Sequence, residues 1–548
     1  MKKLLLLITA IIISFSATCQ SNEFEISKNM EIFSSVYKTL FENYVDDINT
    51  GELMRVGIDA MLESLDPYTE YKSESEVEDF RFMATGQYGG IGSLIQQQGN
   101  KVIISEPYKD SPADKAGLKA GDVIIKIDSK DVRDKSSSDV SELLKGEPGT
   151  KLTVTVERFN HKKPVEISLT REKINVPNIP FYEVKNNSIG YIYLNSFTND
   201  ASTEFLKAYN ELNKETKLSG LIIDLRNNGG GLLPEAVKIM NMFVPAGELI
   251  VNTKGRVASK NSIHKTTSNP IDTNIPIVVL VNGSSASASE ILAGAMQDLD
   301  RGVIVGDRTF GKGLVQNILP IVYNSQMKIT VAKYYIPSGR CVQAIDYAHK
   351  DESGKWTKIP DSLMTKFYTR NGRVVWDGAG IQPDIEVQHE MLTEATTNLI
   401  IQNHIFNFAT EYYYNHQNDE IDPKTFTVND EIWSQFIDYL NKNNFSYTSV
   451  AEKQFSKLES VLKEENYYDD LESQLKELSK GIQNQKDNDL INDRNQISYY
   501  LGSEIVSRYH YSLGRLLFSQ HADEDVEAAL ELFNDMKKYK EILTPSQK

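Results

Sequence analysis

Between residues 174 and 390 the sequence alternates short apolar runs with amphipathic segments, and no other feature limits the possible folds as strongly. The apolar runs have the length of buried strands, and the segments between them have the 3.6-residue period of helices. Strands are expected at Gly190–Leu194, Gly220–Asp224, Pro276–Val281 and Val303–Val305, and helices at 203–213, 234–243 and 288–298. We therefore predict a sheet covered by helices, built from successive βα units and carrying a polar insertion at 346–378.

The segments on either side of this alternation have other patterns, so we predict an α/β protein of several domains. Residues 24–84 carry apolar side chains at helical spacing, 85–173 contain short strands and turns, and 391–548 are charged, tyrosine-rich and mostly helical in pattern. We predict a helical region at 24–84, a β-rich domain at 85–173, an α/β core at 174–390 and a helical C-terminal region at 391–548. Within 85–173, strands are expected at Val102–Ser105, Val123–Ile127 and Leu152–Glu157, and helices at Ala113–Ala116 and Ser137–Leu144.

The N-terminus has the layout of a secretory signal peptide. Met1 and two lysines precede an apolar run from Leu4 to about Ala17, which is too short to cross a bilayer comfortably. We predict a signal peptide over 1–19 and an exported protein of the periplasm or cell envelope. Two alternatives stay open: lipidation of Cys19, and a signal that remains uncleaved as a membrane anchor.

Charge and motif spacing argue against several classes of function. The formal net charge is −17 over 548 residues, which disfavours nucleic acid as a partner because phosphate binding requires a basic surface. The histidines are scattered without HExxH spacing, so we expect no zinc peptidase and no metal site. Gly306–Lys312 matches the start of a phosphate-binding P-loop, but Gly313 stands where a serine or threonine should hold magnesium. We therefore expect no nucleotide and no cofactor.

Three serines within one small-residue segment, Ser285, Ser287 and Ser289, precede a lysine between two glycines, Lys312. A serine hydroxyl becomes a nucleophile when a base removes its proton, and a lysine can be that base if burial lowers its pKa. We interpret Ser287 and Lys312 as a serine–lysine catalytic dyad. The spacing alone does not choose among the three serines, and all three could instead cap the helix that follows.

A glycine-rich segment, Asn227–Gly231, follows the strand expected at Gly220–Asp224. Its glycines leave backbone N–H groups accessible, and such groups stabilise the oxyanion that forms during acyl transfer. We predict that the N–H of Gly230 or Gly231, together with that of Ala288, forms an oxyanion hole. The alternative is a flexible turn without a chemical role.

In their order along the chain, these motifs resemble those of the C-terminal processing peptidases, also called tail-specific proteases, of the S41 class. The resemblance covers about residues 30–390. It rests on Met61–Tyr71, Gly89–Gly92, Ser111–Asp122, Asp224–Gly231, the serine cluster, Gly311–Gly313 and Pro337–Arg340.

The resemblance implies a PDZ domain inserted ahead of the protease core. It selects Ser287 as the nucleophile, Lys312 as the general base and Gln316 as the residue that supports the lysine. It also attaches weight to two acidic residues, Glu290 and Asp298, for which a structural role is equally credible. In a PDZ-like fold, the loop of Gly89, Gly90, Ile91 and Gly92 would bind a peptide's terminal carboxylate, and the peptide would add a strand to the sheet edge.

Together these inferences predict an exported serine endopeptidase that binds C-terminal tails through a PDZ-like domain and cleaves upstream of them. Its partners would be proteins or peptides with free C-termini, and the helical end regions could build a homo-oligomer. Two alternatives are a non-catalytic scaffold of the cell envelope and a histidine-assisted hydrolase.

Overall fold

A computed structural model describes residues 2–76, 85–486, 488–520 and 523–544, with side chains from residue 23 onward. The predicted signal peptide at 1–19 and the side chain of Cys19 therefore lie outside the described side chains. Within the described ranges, no helix combines the length and the apolar character needed to traverse a bilayer. The chain divides into two compact units, Met1–Glu74 with Gln316–Thr330, and Ser75–Val315 with Val331–Lys548.

The first unit contains two helices, α1 (Lys2–Asn43) and α2 (Thr50–Glu63), followed by strand β1 (Glu70–Lys72). Asn49 begins α2 by accepting the amides of Gly51 and Glu52. The predicted helical region at 24–84 also contains a strand, β1, which the sequence pattern did not indicate. There the Asp66 carboxylate accepts two amides in a turn and ends the helical course, and β1 then pairs with Gln326–Lys328.

A β-rich domain follows, and it contains the three strands and two helices that the sequence predicts, together with five further strands. Its antiparallel sheet has the order β3-β4-β5-β7-β8, with β6 paired to β5, and β2 pairs separately with β9. The strands are β2 (Gln87–Gly90), β3 (Ser93–Gln98), β4 (Lys101–Pro107), β5 (Val123–Ile127), β6 (Lys130–Asp131), β7 (Lys151–Glu157), β8 (Val165–Thr170) and β9 (Glu172–Asn175), and the helices are α3 (Pro112–Lys115) and α4 (Ser137–Leu144). Ile104, Val140 and Val154 lie in its apolar core.

The α/β core is built on a six-stranded sheet whose order is β10-β11-β12-β15-β16-β23. All neighbouring pairs are parallel except β10 with β11. The strands are β10 (Phe181–Lys185), β11 (Ile189–Tyr193), β12 (Gly220–Asp224), β15 (Ile277–Val281), β16 (Val303–Gly306) and β23 (Ile385–Glu386), and the helices are α5 (Ala201–Glu215), α6 (Leu233–Phe243) and α7 (Ala288–Asp298). Every residue of β12 and β15 is buried, as expected for a parallel sheet covered on both faces.

The remaining strands are β13 (Leu249–Lys254), β14 (Ser262–Lys265), β17 (Leu314–Pro320), β18 (Gln326–Tyr335) and the insertion strands β19 (Ile345–Lys350), β20 (Trp356–Lys358), β21 (Lys366–Tyr368) and β22 (Val374–Trp376). The end of β18 pairs with β13, and β13 pairs with β14. The predicted polar insertion at 346–378 forms two hairpins, β19–β20 and β21–β22.

The C-terminal region is helical, as predicted, and it comprises α8 (Glu394–Ile401), α9 (His404–Asn415), α10 (Asp430–Lys442), α11 (Val450–Glu464), α12 (Tyr468–Lys486), α13 (Asp489–Asn492), α14 (Arg494–Ser519), α15 (Glu524–Asn534) and α16 (Met536–Leu543). Phe408, Phe436 and Leu501 lie in a separate core of this region. Val526 and Leu532 of α15, however, pack on the main sheet. Helices α15 and α16 thus cover the face of the sheet opposite α5–α7.

The C-terminal region also contacts the β-rich domain. Arg515 of α14 donates to Glu106 of β4 at 2.6 Å, and Tyr511 donates to Asp114 at 2.7 Å. Tyr511 has φ 58° and ψ −157° and breaks the helical path of α14 at this contact. The helical C-terminal region therefore contacts the β-rich domain through α14 and the α/β core through α15.

Candidate active site

Ser287 lies between β15 and α7, at the carboxyl edge of the parallel sheet. This is the edge where ligand sites of open α/β sheets are found. Its φ is 57° and its ψ is −112°, a strained conformation for a residue with a side chain. Strain of this kind persists only where surrounding structure enforces it, and it is concentrated at functional sites.

The environment of Ser287 differs from those of the other two candidate serines, Ser285 and Ser289. The Ser285 hydroxyl donates to the Leu225 carbonyl and the Ser289 hydroxyl to the Asn228 carbonyl, both at 2.8 Å. Ser285 and Ser289 are fully buried, whereas Ser287 keeps partial exposure. Two of the three serines thus stabilise the local fold, a distinction that sequence spacing could not make.

Glu290, in the first turn of α7, connects the Ser287 and Lys312 segments. One of its carboxylate oxygens accepts the amide of Ser287 at 2.9 Å and the amide of Lys312 at 2.8 Å. The other oxygen accepts the Gly311 amide and the Thr309 hydroxyl. Burial raises the pKa of Glu290, and these four donors oppose the rise. The main-chain amides of the predicted nucleophile and the predicted base therefore donate to the same carboxylate oxygen.

Tyr334, near the end of β18, provides a second connection between the same segments. Its hydroxyl donates to the Ser287 carbonyl at 3.2 Å, and its amide donates to the Gly313 carbonyl at 3.0 Å. The side chain is almost completely buried. Nothing in the sequence indicated Tyr334, because the contact depends on how the strands pair.

Lys312 is half-buried in the loop between β16 and β17. A P-loop lysine precedes a helix whose first amides bind phosphate. Here the chain continues from Lys312 into strand β17, so the loop lacks the geometry of a nucleotide site. Gln316 lies on β17 in the first unit, where its amide donates to the Thr330 hydroxyl at 3.2 Å.

The 227–231 loop (Asn227–Gly231) packs directly against the predicted nucleophile. Gly230 has φ +100°, and a Cβ there would lie 2.6 Å from the Ala286 carbonyl oxygen and 2.8 Å from Ser287 Cβ. It would also lie 2.9 Å from the Ala288 nitrogen, whose N–H is among the leading amides of α7 without an intrahelical acceptor. Only glycine leaves this space open.

The two glycines predicted as oxyanion donors differ. The Gly230 N–H donates to the Asn228 side chain at 2.9 Å, so this donor is already engaged. Gly231 lies beside Phe197 in a parallel bridge, in which the Phe197 amide donates to the Gly230 carbonyl. The Gly230 N–H is therefore not available to an oxyanion in this conformation, and the role of Gly230 is to allow close packing against Ser287. Of the two predicted glycine donors, Gly231 remains.

Asn228, which the sequence did not single out, fixes the shape of the 227–231 loop. It is fully buried, and its amide group donates to the Leu194 carbonyl. The main-chain carbonyl of Asn228 accepts the Ala286 amide and the Ser289 hydroxyl. These contacts join the loop to the segment that carries Ser287.

The 89–92 loop lies in the β-rich domain, apart from the residues above. The Gly92 carbonyl accepts the Tyr108 amide and the Ser111 hydroxyl, and the Ile91 carbonyl accepts the Ala113 amide. A cavity of about 170 Å³ adjoins the loop between β3 and α4. Its lining includes Tyr88, Ile91, Leu94, Ile95, Tyr108 and Leu144.

Asp298, at the end of α7, forms a structural contact. It accepts Arg340 at 2.9 Å and the Ser338 amide, both in the Pro337–Arg340 turn. Burial raises the pKa of Asp298, and Arg340 opposes the rise. Within the described residues, no three His, Cys, Asp or Glu side chains lie where they could hold a metal ion.

Comparison with known families identifies three parts of the chain. Residues 188–349 match peptidase family S41, residues 103–158 match the PDZ domain, and residues 395–533 match the C-terminal helical domain of probable PDZ-proteases. These matches fall on the α/β core, the β-rich domain and the helical C-terminal region.

Individual proteins with similar sequences have related names. A carboxy-terminal-processing protease of Bartonella bacilliformis is 35% identical over 339 residues, covering 61% of this chain and 77% of the relative. A probable CtpA-like serine protease of Staphylococcus aureus is 35% identical over 320 residues, covering 57% of this chain and 62% of the relative. The solved photosystem II D1 C-terminal processing protease is 28% identical, covering 66% of this chain and 93% of that chain at a TM-score of 0.36.

The sequence matches, rather than overall structural superposition, carry the assignment. The Bartonella relative is aligned over more than two thirds of its length, and the three matched regions occur in the order that the fold displays. The chain is therefore a member of peptidase family S41, a serine peptidase of the carboxy-terminal-processing type that carries a PDZ domain.

Proposed function

We propose that the protein is an exported endopeptidase that uses Ser287 and Lys312 as a catalytic dyad and captures substrates by their C-terminal tails. The observation that carries the dyad is the carboxylate of Glu290, which accepts the amides of both residues on one oxygen. The strained φ of Ser287 and the internal hydrogen bonds of Ser285 and Ser289 support the same choice of nucleophile.

In the proposed reaction, the neutral Lys312 amine removes the Ser287 proton while the serine oxygen attacks the substrate carbonyl carbon. The resulting oxyanion accepts hydrogen bonds from the N–H groups of Ala288 and Gly231. The tetrahedral intermediate collapses, Lys312 returns the proton to the leaving amine, and an ester to Ser287 remains. Water then attacks the ester, Lys312 again transfers the proton, and the acid product leaves.

Lys312 can act as the base only if a substantial fraction is neutral near physiological pH. We propose that desolvation by apolar neighbours lowers its pKa. Leu314 is buried two residues on, in support of this environment. We further propose that Gln316 supports the lysine amine in the working enzyme.

The PDZ domain is proposed to bind the free C-terminus of the substrate. The cavity beside the 89–92 loop has an apolar lining that would suit an apolar terminal side chain. Strand β3 is at the edge of its sheet, so a bound peptide can add a strand there. We expect a preference for unamidated peptides with apolar terminal residues.

Export and self-association complete the proposal. The sequence of residues 1–19 supports export to the periplasm or cell envelope, with anchoring through Cys19 or an uncleaved signal as alternatives. The helices of the first unit expose a series of large apolar side chains. These include Phe24, Met30, Phe33, Val36, Phe41 and Val56. A face of this kind is typical of an interface, and we propose a second copy of this chain as its partner.

The dyad is tested by comparing wild type with Ser287→Ala and Lys312→Ala on an unfolded protein such as labelled casein. We expect both variants to lose cleavage by at least about 1,000-fold, since dyad members act as a unit. Ser284→Ala is the matched control, because Ser284 is exposed in the same segment, and it should keep full activity.

The alternatives give different results in this assay. Cleavage that persists in Ser287→Ala would refute the proposed nucleophile, and cleavage that persists in Lys312→Ala would favour a histidine-assisted hydrolase. Absence of cleavage by the wild type across several unfolded substrates would favour the non-catalytic scaffold.

A further inference from the structure

Arg226 lies two residues after the end of β12, immediately before the 227–231 loop. Its guanidinium binds Asp224 of that strand through two nitrogens, with a shortest distance of 2.6 Å. The Asp224 carboxylate also accepts the Arg226 amide and the Tyr191 hydroxyl. The root of the loop is therefore held by a charged pair that is nearly excluded from water.

Two further carboxylates reach the same guanidinium from the C-terminal region. Asp523, which precedes α15 and caps it, accepts two Arg226 nitrogens at 2.7 Å each. Asp525, in the first turn of α15, accepts Arg226 at 2.9 Å. Both side chains are less than a tenth exposed. Bidentate contacts of this kind fix direction as well as distance.

The number of carboxylates exceeds what neutralising one arginine requires. Three acids around one guanidinium leave excess negative charge in a buried site, and buried ion pairs are weak evidence of a gain in stability. His389 lies against Asp525 and Asp307, each at 3.1 Å, and adds a further polar contact. The arrangement is better explained by a need for fixed geometry at Arg226.

A short series of contacts connects Arg226 to Ser287 through the 227–231 loop. The Asn227 amide donates to the Asn282 side chain, and the Asn282 amide group donates back to Asn227. The Ala286 amide donates to the Asn228 carbonyl. Gly230 then packs against Ser287, as described above. Movement of the Arg226 side chain would therefore shift the donors of the proposed oxyanion hole.

We propose that Asp523 and Asp525 are positioning residues for the peptidase reaction: they hold Arg226, which holds the 227–231 loop against Ser287. The C-terminal helical region thus completes the active site of the core, from a point about 300 residues further along the chain. This inference rests on the proposed dyad and oxyanion hole, and it adds the requirement for the C-terminal carboxylates.

The test compares the full-length wild type with the double variant Asp523→Asn/Asp525→Asn, which keeps side-chain size and removes the charges. We expect kcat on an unfolded casein to fall at least about tenfold while KM changes less than about twofold, because the lost alignment acts mainly in the transition state. A structural role alone would lower the amount of folded enzyme and leave kcat per folded molecule unchanged, so kcat is calculated from the folded fraction measured by size-exclusion chromatography.

Glu183→Gln is the matched control. Glu183 of β10 binds Lys424 at 3.1 Å, so it also joins the core to the C-terminal region, but it does not contact the 227–231 loop. We expect this variant to keep the wild-type kcat. Asp525→Asn alone, which leaves both Asp523 contacts in place, is the milder variant to use if the double variant does not fold. We expect it to show a smaller fall in kcat at constant KM.

The outcomes distinguish this inference from the proposed function. Wild-type kcat in a folded double variant, with Ser287→Ala inactive, would overturn the positioning role and leave the dyad intact. Full activity of Ser287→Ala would overturn the dyad itself. An equal loss in Glu183→Gln would also contradict the inference, since any weakening of the contact between the two regions would then suffice.

Discussion

The 227–231 loop and the 89–92 loop are both rich in glycine and both come close to other main-chain segments, yet they are held in different ways. In the first, a Cβ at Gly230 would meet the Ala286 carbonyl at 2.6 Å. In the second, Gly92 has φ +73°, and a Cβ there would lie 2.5 Å from the Ser111 side chain. In each loop a glycine is required by close approach and not by flexibility.

The difference lies in where the restraining groups come from. The 89–92 loop is held by neighbours in its own domain, such as Tyr108 and Ser111. The 227–231 loop is held through Arg226 by carboxylates that come from the C-terminal region. Under the proposed function, this difference predicts that peptide binding by the 89–92 loop depends on contacts within the β-rich domain, whereas catalysis depends on Asp523 and Asp525.

The strongest way to break this comparison is Gly230→Val. The new side chain would clash with the segment of Ser287, and we expect kcat to fall about 100- to 1,000-fold as the oxyanion donors move. Binding of a free C-terminal peptide to the PDZ domain should stay at the wild-type affinity, measured by fluorescence anisotropy. A variant that is folded and turns over normally would show that the loop has no role in catalysis.

Gly92→Val should weaken peptide binding and leave catalysis unchanged. Positive φ costs a β-branched residue about 1–2 kcal/mol, and we expect the affinity for a tail peptide to fall roughly tenfold. Cleavage of a short amidated peptide, which has no free carboxylate, should be unchanged. An unaltered affinity for the tail peptide would remove the 89–92 loop from the proposed binding site.

Tyr334→Phe tests the second connection between the dyad segments. Loss of the hydrogen bond to the Ser287 carbonyl is worth about 0.5–1.5 kcal/mol, so kcat should fall about two- to twelvefold at constant KM. The control is Tyr335→Phe, since Tyr335 is the adjacent residue of β18, and it should leave kcat within about twofold. Equal effects of the two changes would assign the loss to the strand and not to the hydroxyl.

The smallest expected effect concerns the pH dependence of stability. Burial raises the pKa of Asp525, against the opposing influence of Arg226 and His389. The folded protein then binds this proton at a pH where the unfolded chain has released it, so ionising Asp525 costs stability. As the pH falls from neutral toward about 4, the ordinary range of an aspartate, that cost is relieved.

The change in Tm with pH measures this effect. We expect the Tm of the wild type to rise relative to that of Asp525→Asn as the pH is lowered through this window. Asp523 and Asp224 also bind Arg226, but both are present in the wild type and in the variant. They should therefore not change the sign of the Tm difference between the two proteins. A Tm difference that moves the other way would mean that Arg226 outweighs burial at Asp525.

Local pattern was sufficient to predict most of the fold. Four strands of the main sheet, β11, β12, β15 and β16, are short apolar runs, and the helices between them have a clear period, so both were predicted within a few residues. The strand β1 was missed, because its three residues become a strand only by pairing with β18. A short polar segment carries no periodic signal of such pairing.

The candidate site was predicted in part, for the same physical reason. Ser287, Lys312 and the 227–231 loop have recognisable sequence patterns. Asn228 and Tyr334 do not, because their roles arise from long-range hydrogen bonds within the folded protein. Asp523 is one aspartate among many in an acidic region, and only the fold brings it to Arg226.

The most direct test of the dyad is reaction with a fluorophosphonate, followed by peptide mapping of the labelled residue. We expect a phosphonylated Ser287 in the wild type, no label in Ser287→Ala, and labelling slowed at least about 100-fold in Lys312→Ala. A label on Ser285 or Ser289, or wild-type labelling of Ser287 in Lys312→Ala, would contradict the proposed dyad.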